Sequence, residues 1–205
     1  MTSGTLYIIS APSGAGKTSL VKALLTELDS LTVSISHTTR TQRPAETHAQ
    51  DYFFVTIEQF QQLIAANAFL EYAAVFDNFY GTAKQTVIDN LNAGLDVILE
   101  IDWQGAQQIK QEFPASEAIF ILPPSVAILK QRLENRAQDS AAIIERRLNE
   151  AVIEMRHCTE FDYLVVNDDF AQALTALKSI IIANRLRQTR QQTQLNLLLT
   201  QLLAD

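Results

Sequence analysis

Cysteine is almost absent from this sequence: Cys158 is the single cysteine among 205 residues, so the chain cannot close an internal disulfide. This composition is typical of proteins kept in a reducing compartment, and we expect a cytoplasmic location. No apolar run approaches the roughly 20 residues that a membrane-spanning helix needs. The N-terminus shows no basic segment followed by an apolar stretch, so we expect neither a signal peptide nor a membrane partner.

Positive charge is also in short supply. The chain carries 16 Lys and Arg residues against 23 Asp and Glu residues, which gives a formal net charge of −7. A large nucleic-acid-binding surface needs a basic patch, so we expect no nucleic-acid partner. His37, His48 and His157 show no metal-ligand spacing. The length and the 47% content of hydrophobic residues favour one folded domain with room for inserted subdomains.

The strongest motif is a glycine-containing turn between a short apolar run and a segment with helical apolar spacing. The turn consists of Ala11, Pro12, Ser13, Gly14, Ala15, Gly16, Lys17 and Thr18. Its glycines let main-chain N–H groups approach an anion, and the start of the following helix favours phosphate. Lys17 would reach the β- and γ-phosphates of a nucleoside triphosphate, and the Thr18 hydroxyl would bind Mg²⁺. Ala11 stands where the strict pattern has glycine.

Apolar strands alternate with helical segments along the chain. The pattern predicts strands over residues 5–10, 33–36, 51–55, 69–75, 97–102, 118–122 and 163–166. It predicts helices over residues 17–29, 57–66, 84–93, 105–111, 125–156 and 170–186. This alternation favours an α/β fold with a parallel sheet covered by helices on both faces. We therefore divide the chain into a core (1–33, 85–124 and 157–205), a small mixed insertion (34–84) and an arginine-rich helical segment (125–156).

Two arginines lie close together in a polar loop that follows a predicted strand. Arg40 and Arg43 could bind phosphate through their planar forks, although a solvated loop explains their spacing equally well. The phenols of Tyr52 and Tyr80 are candidates for the same anion, with core packing as the alternative for each. This loop is therefore a second candidate anion site.

The helical segment 125–156 is rich in arginine, including Arg132, Arg136 and Arg147. One interpretation is an exposed helix face. The other is a lid that closes over a polyphosphate and brings guanidinium groups to the transferred phosphoryl. No nucleophile–base pair stands out in the sequence, but a nucleoside monophosphate is already an ionised oxygen nucleophile and needs no general base.

Three carboxylates occupy or end apolar strands: Glu71, Glu100 and Asp102. A charge in such a position is costly unless it has a partner. Guanine N1–H and N2–H₂ would give a carboxylate two donors that adenine lacks, and Ser36 and Thr82 could donate to O6. A site of this kind discriminates between bases by roughly 10⁴. The alternatives are an exposed edge-strand charge for Glu71 and a Mg²⁺–water ligand for Asp102.

Six motifs occur together and in a fixed order. They are Ala-Pro-Ser-Gly-Ala-Gly-Lys-Thr at 11–18, Ser-Ile-Ser-His-Thr-Thr-Arg at 34–40 followed by Arg43-Pro44, Asp-Tyr-Phe-Phe at 51–54, Phe-Tyr-Gly-Thr at 79–82, Ile-Asp-Trp-Gln-Gly-Ala at 101–106 and Val-Asn-Asp-Asp at 166–169. With these motifs the chain resembles the bacterial guanylate kinases from about residue 4 to the C-terminus. The set is far more specific than the phosphate loop alone.

The resemblance implies the reaction ATP + GMP ⇌ ADP + GDP with Mg²⁺. It implies a P-loop NTPase-type parallel sheet flanked by helices, in which 34–84 is a GMP-binding region and 125–156 a lid. It assigns Ser36, Glu71, Thr82 and Asp102 to guanine, with Glu100 beside them, and Arg40, Arg43, Tyr52 and Tyr80 to the GMP phosphate. It assigns Arg132, Arg136 and Arg147, with Lys17, to the ATP phosphates and the transition state, and places Asn167 near the adenine.

The sequence departs from the family pattern at several positions. Glu100 stands where the family often has aspartate, and Phe79 stands where tyrosine is common. Ala45, Ala49 and Ala137 replace the usual glycines. These alanines would stiffen the loop of the GMP-binding region and the lid hinge, and would affect closure rates more than chemistry.

Two other functions compete with a guanylate kinase activity. A non-catalytic module of the same fold that binds peptides would have a degraded phosphate loop, whereas Lys17 and Thr18 are intact here. A kinase for adenylate is disfavoured because Glu71 and Asp102 would face a base with no N1–H or N2 donors.

The C-terminal tail carries leucines at helical spacing. They are Leu195, Leu198, Leu199, Leu202 and Leu203. We expect this face to pack on the core, with a second subunit as the alternative. The sequence is therefore compatible with a monomer or a homo-oligomer.

Overall fold

The computed structural model describes residues 3–75, 77–135 and 141–204. In chain order the strands are β1 (Leu6–Ser10), β2 (Leu31–Ser34), β3 (His37–Thr38), β4 (Phe53–Phe54), β5 (Phe69–Val75), β6 (Asn78–Ala83), β7 (Asp96–Glu100), β8 (Glu117–Leu122) and β9 (Tyr163–Val166). The helices are α1 (Lys17–Glu27), α2 (Ile57–Ala65), α3 (Lys84–Asn92), α4 (Trp103–Glu112), α5 (Val126–Glu134), α6 (Ala141–Arg156), α7 (Phe170–Arg185), α8 (Gln188–Gln194) and α9 (Asn196–Leu202). None of the helices within the described ranges has the length and apolar character to cross a lipid bilayer.

Five strands form a parallel central sheet in the order β2–β7–β1–β8–β9. Side chains of β1 point alternately to its two faces, so Tyr7 and Ile9 join one core cluster while Leu6 and Ile8 join the other. All of β1 is buried. The predicted α/β fold with a parallel sheet is confirmed.

Helices cover both faces of this sheet. On one face α1 and α7 contribute Leu24 and Leu177, and on the other α3 and α4 contribute Val87 and Ile109. Strands β1 and β7 end side by side, with Ile9 paired to Glu100. Because parallel strands end at one edge, the loops that follow them meet there, as in other open α/β sheets with a ligand site.

A second, mixed sheet is inserted between β2 and α3, in the order β4–β3–β6–β5. Strands β5 and β6 pair antiparallel, and α2 packs on them through Phe60, whose ring centroid lies 4.6 Å from that of Phe69. Helix α2 begins with a capping box in which Thr56 and Gln59 satisfy each other's main-chain N–H groups. The segment between β2 and α3 thus contains short strands and one helix.

Some predicted element boundaries were wrong. The strand predicted over 51–55 is reduced to Phe53–Phe54, and the one predicted over 33–36 is Leu31–Ser34. Strands β3 and β6 were not predicted. Neither has an alternating apolar pattern, and both exist because they pair with neighbours that are distant in sequence.

The segment predicted to be helical over 125–156 contains α5 and α6, which pack together through Leu129, Leu133 and Ala151. The predicted catalytic residue Arg136 and the departure at Ala137 lie outside the described residues.

The expectation that the C-terminal leucines pack on the core was wrong. The tail is helical, but Leu198, Leu202 and Leu203 are exposed in this chain, as is Leu197. The spacing correctly indicated helices. It did not indicate which surface the leucines contact.

The carboxylate of Asp96, at the amino-terminal end of β7, holds the segment that leads into the C-terminal tail. Asp96 is completely buried and accepts hydrogen bonds from the Thr5 amide (2.8 Å), Arg185 Nε (2.7 Å) and Arg190 Nη1 (2.8 Å). Removing one partner of a buried ion pair is costly because the other charges are left uncompensated.

We expect Asp96→Asn to lower the free energy of unfolding by about 3 kcal/mol or more, measured by urea denaturation. Asp89→Asn, on the exposed surface of α3, removes the same charge and should change it by less than about 0.5 kcal/mol. Equal stability of the Asp96 variant and the wild-type protein would contradict this account of the network.

Candidate active site

The phosphate loop, residues 11–16, connects β1 to α1 at the carboxyl edge of the central sheet. Gly14 and Gly16 have φ angles of 94° and 96°, in the left-handed region that residues with a side chain avoid. A Cβ atom at residue 16 would lie 2.3 Å from Asn167 Nδ2. The loop therefore requires glycine at this position both for its backbone conformation and for the close approach of Asn167.

Asn167 supports the loop from the end of β9. Its Nδ2 donates a hydrogen bond of 2.7 Å to the carbonyl of Ala15, and its own carbonyl accepts one of 2.9 Å from Arg132 Nη2. Both Asn167 and Ala15 are buried. Arg132 Nη1 is also buried and has no hydrogen-bond partner among the described residues. Arg132 is thus held against the end of β9 through Nη2.

One cavity of about 920 Å³ lies between the phosphate loop, the inserted sheet and α6. The predicted residues that line it are Ala11, Pro12, Ser13, Gly14, Gly16, Lys17, Thr18, Ser36, Arg40, Arg43, Tyr52, Glu71, Tyr80, Glu100, Asp102 and Arg147. The fold thus brings three groups to one cavity: the phosphate loop, the loop that carries Arg40 and Arg43 (the two-arginine loop), and the carboxylates Glu71, Glu100 and Asp102. Of the other predicted residues, Ala15, Thr82, Arg132 and Asn167 contribute no lining, and Arg136 lies outside the described residues.

The phosphate loop and β7 together form an oxygen-rich corner of the cavity. The Thr18 hydroxyl donates a hydrogen bond of 3.2 Å to Glu100 Oε2. Asp102, for which a Mg²⁺–water role is an alternative, caps α4: its Oδ1 accepts from the Gly105 amide at 2.9 Å. Glu100 is therefore the carboxylate beside the Thr18 hydroxyl.

Glu71, on β5, is a buried carboxylate that lines the cavity. It is 3% exposed, which excludes the alternative of an edge-strand charge on the surface. The Thr82 hydroxyl donates its single proton to Glu71 Oε1 at 2.5 Å, so Thr82 cannot donate to a nucleotide base at the same time. A Cβ atom on Gly105 would lie 2.6 Å from Glu71 Oε2. Burial, with a smaller contribution from the nearby Asp102 charge, raises the pKa of Glu71 to about 7.

The two-arginine loop forms the opposite wall. Arg40 Nη1 and Nη2 donate to the two oxygens of Glu46 at 3.0 and 2.7 Å, and the Arg40 guanidinium lies 5.4 Å from the centroid of the Tyr52 ring. Burial, followed by the charges of Tyr80 and Glu100, raises the pKa of Tyr52 to about 12, so its hydroxyl remains a donor at neutral pH. Sequence analysis missed Glu46, although its position three residues after Arg43 was a usable signal.

Helix α6 closes the cavity from the third side with Arg146, Arg147 and Glu154. Glu154 was not predicted. Burial raises the pKa of the Glu154 carboxyl to about 7, against the opposing effect of the Lys17 ammonium. Its Oε2 is buried and accepts no hydrogen bond from the described residues.

A phosphate loop on one wall, carboxylates and arginines for a second ligand on another, and an arginine-bearing helix above them define a P-loop kinase of small molecules. Comparisons with known proteins agree. The guanylate kinase family model matches residues 3–184. The guanylate kinases of Sodalis glossinidius and Escherichia coli K12 are 56% and 54% identical over the full length of both chains.

A solved structure also matches. The crystal structure of guanylate kinase from Anaplasma phagocytophilum aligns with a TM-score of 0.78 at 31% identity, over 92% of this chain and 90% of that one. The chain belongs to the guanylate kinase family.

Proposed function

We propose that this chain transfers the γ-phosphoryl group of ATP to GMP, giving ADP and GDP, as a step in purine nucleotide metabolism. The observation that carries the proposal is the shared cavity: Lys17, which follows the phosphate loop at the start of α1, and the buried Glu71 line the same cavity. One of these residues suits a polyphosphate and the other a guanine edge.

The donor nucleotide binds at the phosphate loop. Main-chain N–H groups of Gly14 and residues 16–18 and the dipole of α1 favour the phosphates, and the Lys17 ammonium neutralises charge on them. The Ala15 N–H is not among them, because it donates to the Pro12 carbonyl at 3.0 Å. We assign Arg132 to the same polyphosphate; in this structure it does not line the cavity, and its Nη2 donates to the Asn167 carbonyl. Asn167 supports the phosphate loop through its hydrogen bond to the Ala15 carbonyl. We also propose that Asn167 contacts the adenine.

Magnesium fits the corner formed by Thr18 and Glu100. Hydroxyl and carboxylate oxygens are the ligands that Mg²⁺ prefers, and it usually takes the remaining ones from water and phosphate. When bound, Mg²⁺ would neutralise charge on the β- and γ-phosphates.

The acceptor nucleotide lies across the other walls. Arg40 and Arg43 bind its phosphate, together with the hydroxyls of Tyr52 and Tyr80. Glu71 and Asp102 accept from N1–H and N2–H₂ of guanine, and Glu100, which also contacts Thr18, lines the same cavity. Ser36 lines the cavity and donates to O6, whereas Thr82 acts on the base through its hydrogen bond to Glu71.

Positioning and charge carry the reaction, because the phosphate oxygen of GMP is already ionised. Arg147 on α6 lines the cavity and would stabilise charge on the transferred phosphoryl when the lid, residues 125–156, closes. We assign Arg136 to the same role.

An assay of ADP release with ATP and Mg²⁺ across GMP, AMP, CMP and UMP tests the function. We expect kcat/KM for GMP to exceed that for AMP by roughly 10⁴ because adenine leaves two buried acceptors unpaired. Comparable values for GMP and AMP would contradict the role of the carboxylates.

The raised pKa of Glu71 predicts a pH dependence of base binding. In the free protein this pKa is about 7, and two N–H donors from guanine lower it, so guanine binds the ionised form. Affinity is therefore complete above pH 7 and falls by up to about tenfold per unit below it. Guanosine is the suitable probe because it carries no titrating phosphate. Calorimetry between pH 5.5 and 8 should show this slope in the wild-type protein and lose it in Glu71→Gln; a flat wild-type profile would contradict it.

A further inference from the structure

We infer that Glu46 is a positioning residue for the acceptor phosphate: it fixes the Arg40 guanidinium and the two-arginine loop in a phosphate-binding arrangement before the monophosphate arrives. The inference rests on the proposed function, since it deepens the account of the GMP phosphate subsite. Glu46 lines the same cavity as Arg40 and Arg43.

The contacts of Glu46 are those of a built-in clamp. Its two oxygens take both terminal nitrogens of Arg40 in a bidentate pair, and Oε2 also accepts from the Arg43 amide at 2.9 Å. The Glu46 amide in turn donates to the Arg43 carbonyl at 3.0 Å. The carboxylate is thus part of the turn that carries both arginines. It does not reach into the subsite from another element.

Arg40 is held on a second side as well. Its guanidinium lies 5.4 and 5.7 Å from the ring centroids of Tyr52 and Phe54, and its Nη1 also donates to the Thr41 carbonyl at 2.8 Å. The side chain of Arg40 is only 15% exposed, and that of Glu46 only 16%. An arginine restrained in this way loses little conformational entropy when a phosphate binds.

The clamp does not use every donor of Arg40. Of the five N–H donors of its guanidinium, Glu46 and the Thr41 carbonyl accept from three. The Tyr80 phenol, another residue assigned to the phosphate subsite, also hydrogen-bonds to the Arg40 side chain. Hydrogen bonds from Arg40 and the Arg43 amide hold the pKa of Glu46 below its usual range although burial opposes them, so the clamp is ionised at neutral pH. Arg43 is different: its side chain is 46% exposed and its Nη1 lies 3.8 Å from Glu46 Oε1, so it is the less restrained of the two arginines.

The opposite role would be a competitor, in which the Glu46 carboxylate takes the place of the phosphate and has to leave. The two roles predict opposite signs. For a positioning residue, Glu46→Gln weakens GMP binding; for a competitor, it strengthens GMP binding. Calorimetry with GMP and with guanosine separates the phosphate subsite from the base subsite.

We expect Glu46→Gln to weaken GMP binding by about ten- to a hundredfold, the usual range for lost hydrogen bonds to a charged group. Guanosine affinity and the KM for ATP should stay within about twofold, and kcat within about threefold, because the base subsite and phosphate loop are untouched. Glu46→Asp, which keeps the charge on a shorter side chain, should recover part of the loss. Glu58→Gln, an exposed position in the same inserted unit, is the charge-matched control and should bind GMP normally.

A double-mutant cycle tests whether Glu46 acts through Arg40. In an Arg40→Ala background, Glu46→Gln should weaken GMP binding less than about threefold further. Unchanged or tighter GMP binding by Glu46→Gln would overturn the inference, as would an equal loss of guanosine affinity. Failure of the wild-type protein to bind GMP would instead contradict the proposed function.

Discussion

Lys17→Met lowers kcat by about 10³ or more and leaves the fold intact. Lys17 is the first residue of α1, and its side chain lines the cavity beside a loop whose glycine backbone angles suit an anion. Methionine has a similar length but no charge, so the negative charge that develops on the transferred phosphoryl in the transition state loses the Lys17 ammonium, and kcat falls. Stopped-time assays of ADP formation from ATP and GMP measure the effect, and circular dichroism checks the fold.

Lys22→Met is the matched control for this variant. Lys22 lies on the same helix and also lines the cavity, but its side chain is 69% exposed and its ion pair with Asp51, at 3.6 Å, is on the surface. We expect kcat of the Lys22 variant to stay within about threefold of wild type, since exposed ion pairs contribute little. An unchanged kcat in Lys17→Met would remove the phosphate loop from the mechanism.

The second large effect is on base selectivity. Glu71→Gln should lower kcat/KM for GMP by about 10³ while changing the value for AMP by less than about tenfold. An amide offers guanine one acceptor and places N–H donors against its own N–H donors, whereas adenine N1 can accept from the new amide. Assays of GMP and AMP with both proteins give the selectivity ratio.

This substitution is unusually free of structural cost. Because burial already raises the pKa of Glu71 to about 7, a neutral amide of the same shape suits the environment, and the Thr82 hydroxyl keeps an acceptor. We expect the melting temperature to change by only a few degrees. A preserved GMP preference in a folded Glu71 variant would show that base selection lies elsewhere.

Much of the fold could be predicted because its signals are local. The run before the phosphate loop is apolar because β1 is buried on both faces, and Gly16 is glycine because the turn needs a left-handed backbone. Strands β3 and β6 could not be predicted in the same way. Their stability comes from pairing with β4 and β5, and a pairing partner leaves no periodic trace in the strand itself.

The candidate site shows the same division. The predicted carboxylates line one cavity with Arg40, Arg43 and Arg147, since strand ends and their loops meet at one edge of the sheet. What the sequence could not indicate is which side chains pair. Glu100 contacts Thr18, Thr82 contacts Glu71, and the clamp at Glu46 joins residues six positions apart in a loop. Such pairs depend on the loop path, which residue spacing alone does not define.

A crystal structure with GMP and a non-hydrolysable ATP analogue tests most directly whether one cavity unites the two nucleotides. We predict that the triphosphate lies on residues 11–18 and that guanine lies within hydrogen-bond distance of Glu71 and Asp102. Its phosphate should lie against Arg40, whose pair with Glu46 remains in place. A guanine ring bound away from residues 71 and 102, or a triphosphate bound away from the start of α1, would contradict the account.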